Sequence, residues 1–208
     1  MKPDHLIKVC GMRQPENIQA VIDAGADWMG FIFYPKSPRF MDNSSFIKSI
    51  TTVKKVGVFV NESASFVQDV VEEYGLDMVQ LHGEEALQVV DSISTFVEVM
   101  KAFRIKTAQD FELVDAYVPF CNYFLFDTKS ELGHGGTGQQ FDWSLLQNYT
   151  AETPFLLSGG IRLTDVDRLK NIEHPALIGF DINSGFEIEP ALKDVEQIKQ
   201  FINHLKQN

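Results

Sequence analysis

The chain has 208 residues, of which 29 are acidic and 18 basic, so its formal net charge at pH 7 is -11. This length suits one large α/β domain better than two, and a chain of this size buries roughly 70 % of its unfolded surface. A strongly negative chain repels phosphate backbones and anionic lipid, so we expect no nucleic-acid partner and no role at a membrane surface.

The sequence carries no pattern typical of export or membrane insertion. Its two cysteines, Cys10 and Cys121, lie far apart and form no CxxC pair, which is typical of a reducing compartment. The apolar run after the polar residues 1–5 is too short for the core of a signal peptide. No apolar run approaches the roughly 18 residues that a membrane span needs. We therefore expect a cytoplasmic protein with no membrane partner.

Eight short apolar runs alternate with amphipathic stretches of helical period. The runs predict strands at residues 6–10, 28–33, 55–60, 78–81, 96–102, 123–127, 155–158 and 177–181. The amphipathic stretches predict helices at residues 15–24, 44–50, 64–74, 84–90, 107–116, 143–148, 163–170 and 192–204. Apolar strands that alternate with helices indicate a parallel sheet covered on both faces, and eight such units favour a closed barrel. We predict an α/β fold, a single (β/α)8 TIM barrel, with residues 1–208 forming one domain.

In such a barrel the functional site lies at the carboxyl ends of the strands. The residues at the predicted strand ends are polar and capable of chemistry: Cys10, Tyr34, Asn61, His82, Lys101, Asp127, the turn at 158–160 and the segment 181–185.

Glycine-containing turns follow the last two predicted strands. One contains Gly159 and Gly160, and the other ends at Gly185. Glycine lets backbone N–H groups approach an anion closely, and the loops after strands seven and eight form the usual phosphate site of this fold. The alternative is two ordinary turns between strand and helix. Their occurrence together favours phosphate binding.

The loop after the second strand carries a candidate carboxylate clamp. Residues 34–40 contain two prolines and two cations, Lys36 and Arg39. The planar guanidinium grips a carboxylate through two parallel hydrogen bonds, so Arg39 is the better clamp. Alone, this loop would be a solvated rim. Opposite a phosphate site, it indicates a ligand with negative charge at both ends.

Two strand ends carry candidates for proton transfer. Asp127 follows a buried run, and the glycines at 133–138 behind it suggest a lid. Cys10 would act as a thiolate, which an ordinary thiol forms only to a few per cent at neutral pH. Lys8 shares its face of the strand at roughly 7 Å, so we hypothesise that Lys8 helps to ionise Cys10. The simpler alternatives are a turn-capping Asp and a small buried Cys.

The histidines do not indicate a metal site. None of the five stands in HExxH or a similar ligand spacing, so we expect no metal ion. His82 either faces the pocket or caps a turn, and its sequence context leaves both open.

Several short blocks, taken together and in order, resemble the signature of a known family. They are residues 8–11 (KVCG), 30–39 (GFIFYPKSPR), 55–61 (KVGVFVN), 79–83 (VQLHG), 135–138 (GGTG) with 141–143 (FDW), and 158–160 (SGG). Each block alone is weak, but the ordered set resembles the N-(5'-phosphoribosyl)anthranilate isomerase family of tryptophan biosynthesis.

The resemblance implies a (β/α)8 barrel that catalyses an Amadori rearrangement without a cofactor. The substrate would be N-(5-phosphoribosyl)anthranilate and the product 1-(2-carboxyphenylamino)-1-deoxyribulose 5-phosphate. By position, Asp127 would be the general acid that protonates the ribose ring oxygen. Cys10 would be the general base that takes the proton from sugar C2'.

The resemblance also implies a substrate-binding set. Arg39 would hold the anthranilate carboxylate, and the last two glycine turns would hold the phosphate. The full set predicted is Arg39, Gly159, Gly160, Asp181, Ser184, Gly185 and His82. The family more often has paired serines near Asn183, a smaller residue than Phe186 and a glycine in place of Ala191, which leaves any role of the Asn183 side chain in doubt.

Two rival interpretations stay open from sequence. One is another phosphosugar isomerase or epimerase barrel, which would not need a second anion clamp. The other is a non-catalytic sugar-phosphate-binding barrel, which fold alone never excludes. For assembly, a monomer is favoured.

Overall fold

The computed structural model describes residues 5–42, 45–128 and 140–206. Eight parallel strands close into a barrel in sequence order, with β8 hydrogen-bonded to β1. The strands are β1 Leu6–Cys10, β2 Trp28–Ile32, β3 Lys54–Phe59, β4 Met78–Leu81, β5 Glu98–Ile105, β6 Tyr123–Thr128, β7 Phe155–Leu157 and β8 Leu177–Ile182. The predicted TIM barrel is confirmed.

The connections between strands are α-helices and short 3-10 helices. The α-helices are α1 Pro15–Asp23, α2 Phe46–Ser49, α3 Ala64–Tyr74, α4 Leu87–Ser94, α5 Val166–Lys170 and α6 Val195–Lys206. The 3-10 helices are Ala108–Leu113, Asp115–Phe120, Trp143–Asn148, Leu163–Asp165 and Ser184–Phe186. A two-stranded antiparallel sheet follows the last of these, with β9 Glu187–Glu189 paired to β10 Leu192–Lys193. In the described ranges, every helix falls short of the length and apolarity that a membrane crossing requires.

The clearest helix boundaries have local causes. Pro15 occupies the first turn of α1, where its missing N–H is harmless. The Ser63 hydroxyl accepts a hydrogen bond from the Phe66 N–H at 3.2 Å and so caps α3. Gly75 ends α3 in the left-handed conformation, with φ of 61°. These signals lie within a few residues of the element, which is why sequence alone locates α3.

Several predicted helices differ from the structure in type or in bounds. The stretch 143–148 forms a 3-10 helix, 163–170 begins with a 3-10 turn, and the helix predicted at 84–90 spans Leu87–Ser94. The stretch 107–116 forms consecutive 3-10 helices, the second of which contains Pro119, a residue that cannot donate a backbone hydrogen bond. The prediction of a helix over 192–204 is wrong at its start. There Leu192 and Lys193 pair with β9, and Asp194 caps α6 by accepting from the Gln197 N–H at 3.1 Å.

The apolar core has two layers. An outer layer lies between the strands and their helices and includes Phe31, Phe124 and Phe180. A smaller inner cluster fills the barrel itself, built from Trp28, Val56, Met78, Met100, Ala102, Leu125 and Leu156. Toward the strands' carboxyl ends, the next residues on the same face are polar on four strands, at Gln80, Arg104, Asp127 and Ser158, and glycine or apolar on β2 and β3. The barrel is therefore packed at one end and open to chemistry at the other.

Candidate active site

The carboxyl ends of the strands surround a cleft of about 740 Å³, a volume that includes the solvent-filled entrance. All nine residues predicted for the site line it: Cys10, Arg39, His82, Asp127, Gly159, Gly160, Asp181, Ser184 and Gly185. Asn61 and Lys101, two other polar strand ends, are not among the lining residues. The predicted lid at 133–138, together with His134, lies outside the described residues.

Cys10 lies at the base of the cleft beside a buried ion pair. Alternation along β1 places Lys8 and Cys10 on the inner face of the barrel. Lys8 Nζ lies 2.8 Å from Asp181 Oδ1, and both side chains are almost completely excluded from solvent. Burial alone would lower the pKa of Lys8, but Asp181 and Cys10 raise it. Lys8 therefore stays charged next to the thiol.

The electrostatics of Cys10 agree in direction with the hypothesis that Lys8 helps to ionise it. Lys8 lies within hydrogen-bonding reach and lowers the pKa of the thiol, as expected. Burial has the larger effect, Asp181 adds to it, and the net pKa of Cys10 is raised above its ordinary value. Lys8 thus offsets the effect of burial rather than making Cys10 a strongly acidic thiol. Cys121 is the inert counterpart, because burial raises its pKa to about 12.

Asp127 lies at the end of a polar chain on the inner face. Its Oδ1 accepts from the Thr128 N–H at 2.7 Å, and its Oδ2 lies 3.3 Å from His82 Nε2. The other ring nitrogen, Nδ1, lies 2.8 Å from the Gln80 amide nitrogen. His82 therefore faces the cleft. Sequence reasoning missed Gln80, although its place on β4, two residues before His82, was the available signal.

The glycine turn after β7 passes directly beside Asp127. Gly159 has φ of 93°, and a Cβ there would collide with the Thr128 hydroxyl and with Asp127 Oδ1. Only glycine satisfies both the conformation and the space. Ser184 and Gly185, in the 3-10 turn after β8, line the cleft with Gly160. The two glycine turns predicted to bind phosphate therefore lie next to each other in the lining of the cleft.

Arg39 is not a solitary cation. Its Nε donates to Glu187 Oε1 at 2.8 Å and its Nη2 donates to Glu187 Oε2 at 2.6 Å. Lys193 Nζ lies 2.7 Å from the same carboxylate and 2.6 Å from Asn183 Oδ1. Burial lowers the pKa of Lys193 to about 8, against the opposing effect of Glu187. Sequence reasoning missed Glu187 and Lys193. It left the role of the Asn183 side chain in doubt, and the structure shows that this side chain accepts a hydrogen bond from Lys193.

A second buried ion pair supports the loop that carries His82. Lys101 Nζ lies 3.0 Å from Glu85 Oε2. Glu85 Oε1 accepts from the backbone N–H groups of Asn61 and Gly83. The Lys101 cation lowers the pKa of Glu85, although burial opposes it. Asn61 and Lys101, polar strand ends in the sequence, therefore brace this loop instead of facing a ligand.

Metal-ligating residues do not converge in the described part of the chain. No three His, Cys, Asp or Glu side chains there come together as ligands would. The absence of a metal in the reaction stays a prediction.

Comparison with known proteins identifies the family. Residues 7–204 match the family model described as N-(5'phosphoribosyl)anthranilate (PRA) isomerase. The chain is 45 % identical to the N-(5'-phosphoribosyl)anthranilate isomerase of Parabacteroides distasonis, over 96 % of this chain and 93 % of that one. It is also 45 % identical to the same-named protein of Phocaeicola vulgatus, over 97 % and 98 % of the two chains.

Solved structures agree with this assignment. The phosphoribosyl anthranilate isomerase of Thermotoga maritima superposes with a TM-score of 0.85 at 33 % identity, covering 97 % of this chain and 98 % of that one. A second isomerase structure holds reduced 1-(o-carboxyphenylamino)-1-deoxyribulose 5-phosphate and superposes with a TM-score of 0.81 at 31 % identity, with the same coverage. The chain therefore belongs to the N-(5'-phosphoribosyl)anthranilate isomerase family, as its ordered sequence blocks predict.

Proposed function

We propose that this chain isomerises N-(5-phosphoribosyl)anthranilate to 1-(2-carboxyphenylamino)-1-deoxyribulose 5-phosphate, with Cys10 and Asp127 as its proton-transfer groups. One observation carries the assignment of roles. Cys10 at the end of β1 and Asp127 at the end of β6 line the same cleft, together with an arginine and two glycine turns. An acid and a base on separate strands are what an internal redox isomerisation needs.

The proposed chemistry has two proton transfers. The Asp127 carboxyl gives a proton to the ribose ring oxygen, and the ring opens to a Schiff base. The Cys10 thiolate then takes the proton from C2', which yields an enolamine that tautomerises to the ketone. General acid–base catalysis of this kind contributes about 10²–10⁴-fold for each group. The rearrangement moves electrons within the substrate alone, so the balance requires no external oxidant or reductant.

Neighbouring residues fit these two roles. Lys8 stabilises the thiolate of Cys10. In the absence of Lys8, burial would raise the pKa of Cys10 further. When the Gln80 amide donates to His82 Nδ1, the ring nitrogen left to donate is Nε2, which faces Asp127. His82 then holds the Asp127 carboxyl in place. The separation of 3.3 Å is long for a hydrogen bond, and such contacts shorten in substrate complexes.

The cleft offers binding groups for both anionic ends of the substrate. Arg39 would bind the anthranilate carboxylate through the guanidinium edge that Glu187 does not occupy. The turns at Gly159–Gly160 and Ser184–Gly185 would bind the phosphate through backbone N–H groups, which bind anions where glycine permits close approach. Asp181 would meet the sugar portion from beside Cys10. The expectations of one domain, a monomer, a cytoplasmic location and no cofactor stay predictions alongside these roles.

The test is turnover by the purified chain. We expect the fluorescence of N-(5-phosphoribosyl)anthranilate to disappear at a rate proportional to the amount of enzyme, and ribose 5-phosphate to remain unchanged. Conversion of ribose 5-phosphate without conversion of the anthranilate compound would favour the rival phosphosugar isomerase. Conversion of neither would leave the chain a binding barrel and contradict the proposal.

A further inference from the structure

Arg39 reaches the cleft from a fixed position. Its side edge, formed by Nε and Nη2, is bound by both oxygens of Glu187. A guanidinium has five N–H groups in a rigid fork, so its end edge, formed by Nη1 and Nη2, is not used in the contacts of the described residues. The aliphatic part of Arg39 also lies against Gly11, where a Cβ would be 2.6 Å from Arg39 Cδ.

Glu187 and Lys193 stand behind Arg39. Arg39 lines the cleft, whereas Glu187 and Lys193 are not among its lining residues. The side chain of Glu187 is 6 % exposed and that of Lys193 is 0 % exposed. The Glu187 carboxylate has a partner on every side, because it also accepts from the Ala191 N–H at 3.1 Å. Glu187 is therefore placed to orient Arg39 and not to touch a ligand.

The charges of Arg39, Glu187 and Lys193 explain why a lysine lies behind the arginine. An arginine bound to one carboxylate is formally neutral as a pair and would attract a second carboxylate weakly. Lys193, 2.7 Å from Glu187, restores a net charge of one positive unit. Its pKa of about 8 leaves most of it charged at neutral pH. Asn183 Oδ1 accepts from Lys193 and fixes the amine from the side of β8.

We propose that Glu187 and Lys193 are positioning residues for carboxylate recognition: Glu187 turns the end edge of Arg39 toward the substrate's aromatic carboxylate, and Lys193 offsets the charge of Glu187. This proposal rests on the proposed function, since it assumes that Arg39 binds the anthranilate carboxylate. A merely structural role, in which the cluster ties the β9–β10 sheet to the loop after β2, would affect all ligands equally.

The test compares two ligands that differ only in the carboxylate. One is reduced 1-(2-carboxyphenylamino)-1-deoxyribulose 5-phosphate and the other is the same compound with a plain phenylamino group. Calorimetry on the full chain gives both dissociation constants, and their ratio is the carboxylate preference. We expect Lys193→Met to lower this preference about tenfold, the effect of weakening one charge-assisted contact. We expect Glu187→Gln to lower it about tenfold as well, because glutamine has one acceptor oxygen and cannot hold both Nε and Nη2, and this loss of orientation outweighs the removal of a negative charge. Binding of the phenylamino compound should be unchanged, which also shows that the variants fold.

A double substitution supplies the matched control. In an Arg39→Met background, Glu187→Gln should lower the preference no further, because there is no guanidinium left to orient. A Glu187→Gln variant that kept its preference within about twofold, or that lost affinity for both ligands equally, would overturn the positioning role. A wild-type chain without any carboxylate preference would contradict carboxylate binding by Arg39, and this proposal with it, whereas failure to turn over N-(5-phosphoribosyl)anthranilate would contradict the proposed function itself.

Discussion

The Cys10 side chain shows how opposing charges set the ionisation of one residue. It is only 4 % exposed, and burial is the largest influence on its pKa. Lys8 and Lys193 favour the thiolate, whereas Asp181 opposes it. The net result is a raised pKa for Cys10. The Cys10 thiolate, the base in the proposed mechanism, is therefore a minor species at neutral pH, but it is a strong base once it forms.

This balance predicts the alkylation of Cys10 as pH changes. The rate of reaction with iodoacetamide should be proportional to the thiolate fraction of Cys10. Because the pKa of Cys10 is raised, this rate should increase at a higher pH than it does for an ordinary thiol. Lys8→Met should move the titration to higher pH, since it removes the nearest cation, and Asp181→Asn should move it to lower pH. Mass spectrometry distinguishes Cys10 from Cys121, whose pKa of about 12 makes it the unreactive internal control. An unchanged titration in Lys8→Met would rule out any effect of Lys8.

At the scale of elements, the β9–β10 sheet is the part that sequence periodicity misses. Leu192 continues the apolar pattern of α6, so the pattern predicts a helix that begins too early. The turn between β9 and β10 places Ala191 at φ of 69°, a conformation that glycine adopts far more easily. The sequence indicates this position only through the resemblance, in which a glycine is common there.

Ala191 therefore offers a test of backbone strain. Ala191→Val should lower the free energy of unfolding by about 2 kcal/mol, because a β-branched residue is strongly disfavoured at positive φ. Ala191→Gly should change it by less than about 1 kcal/mol, since relief of strain offsets the added freedom of the unfolded chain. Denaturant unfolding measures both. A valine variant as stable as the glycine variant would show that this turn relaxes out of the left-handed conformation.

For the molecule as a whole, the sequence predicts the residues that line the cleft better than the buried residues that hold them in place. The barrel rule places the polar strand ends in one cleft, and those predicted residues do line it. The partners behind them are harder to predict. Arg39 and Glu187 are 148 residues apart, and Lys8 and Asp181 are 173 apart. No local pattern encodes such pairs, because closure of the barrel and the register of its strands bring them together.

The proposed mechanism requires Cys10 and Asp127 to act as base and acid in one reaction. The direct measurement is the kcat of Cys10→Ala and of Asp127→Ala with N-(5-phosphoribosyl)anthranilate, beside the wild-type chain. We expect each variant to lose about 10²–10⁴-fold in kcat while binding of the reduced product analogue is retained. Wild-type turnover that both substitutions left unchanged would contradict the mechanism.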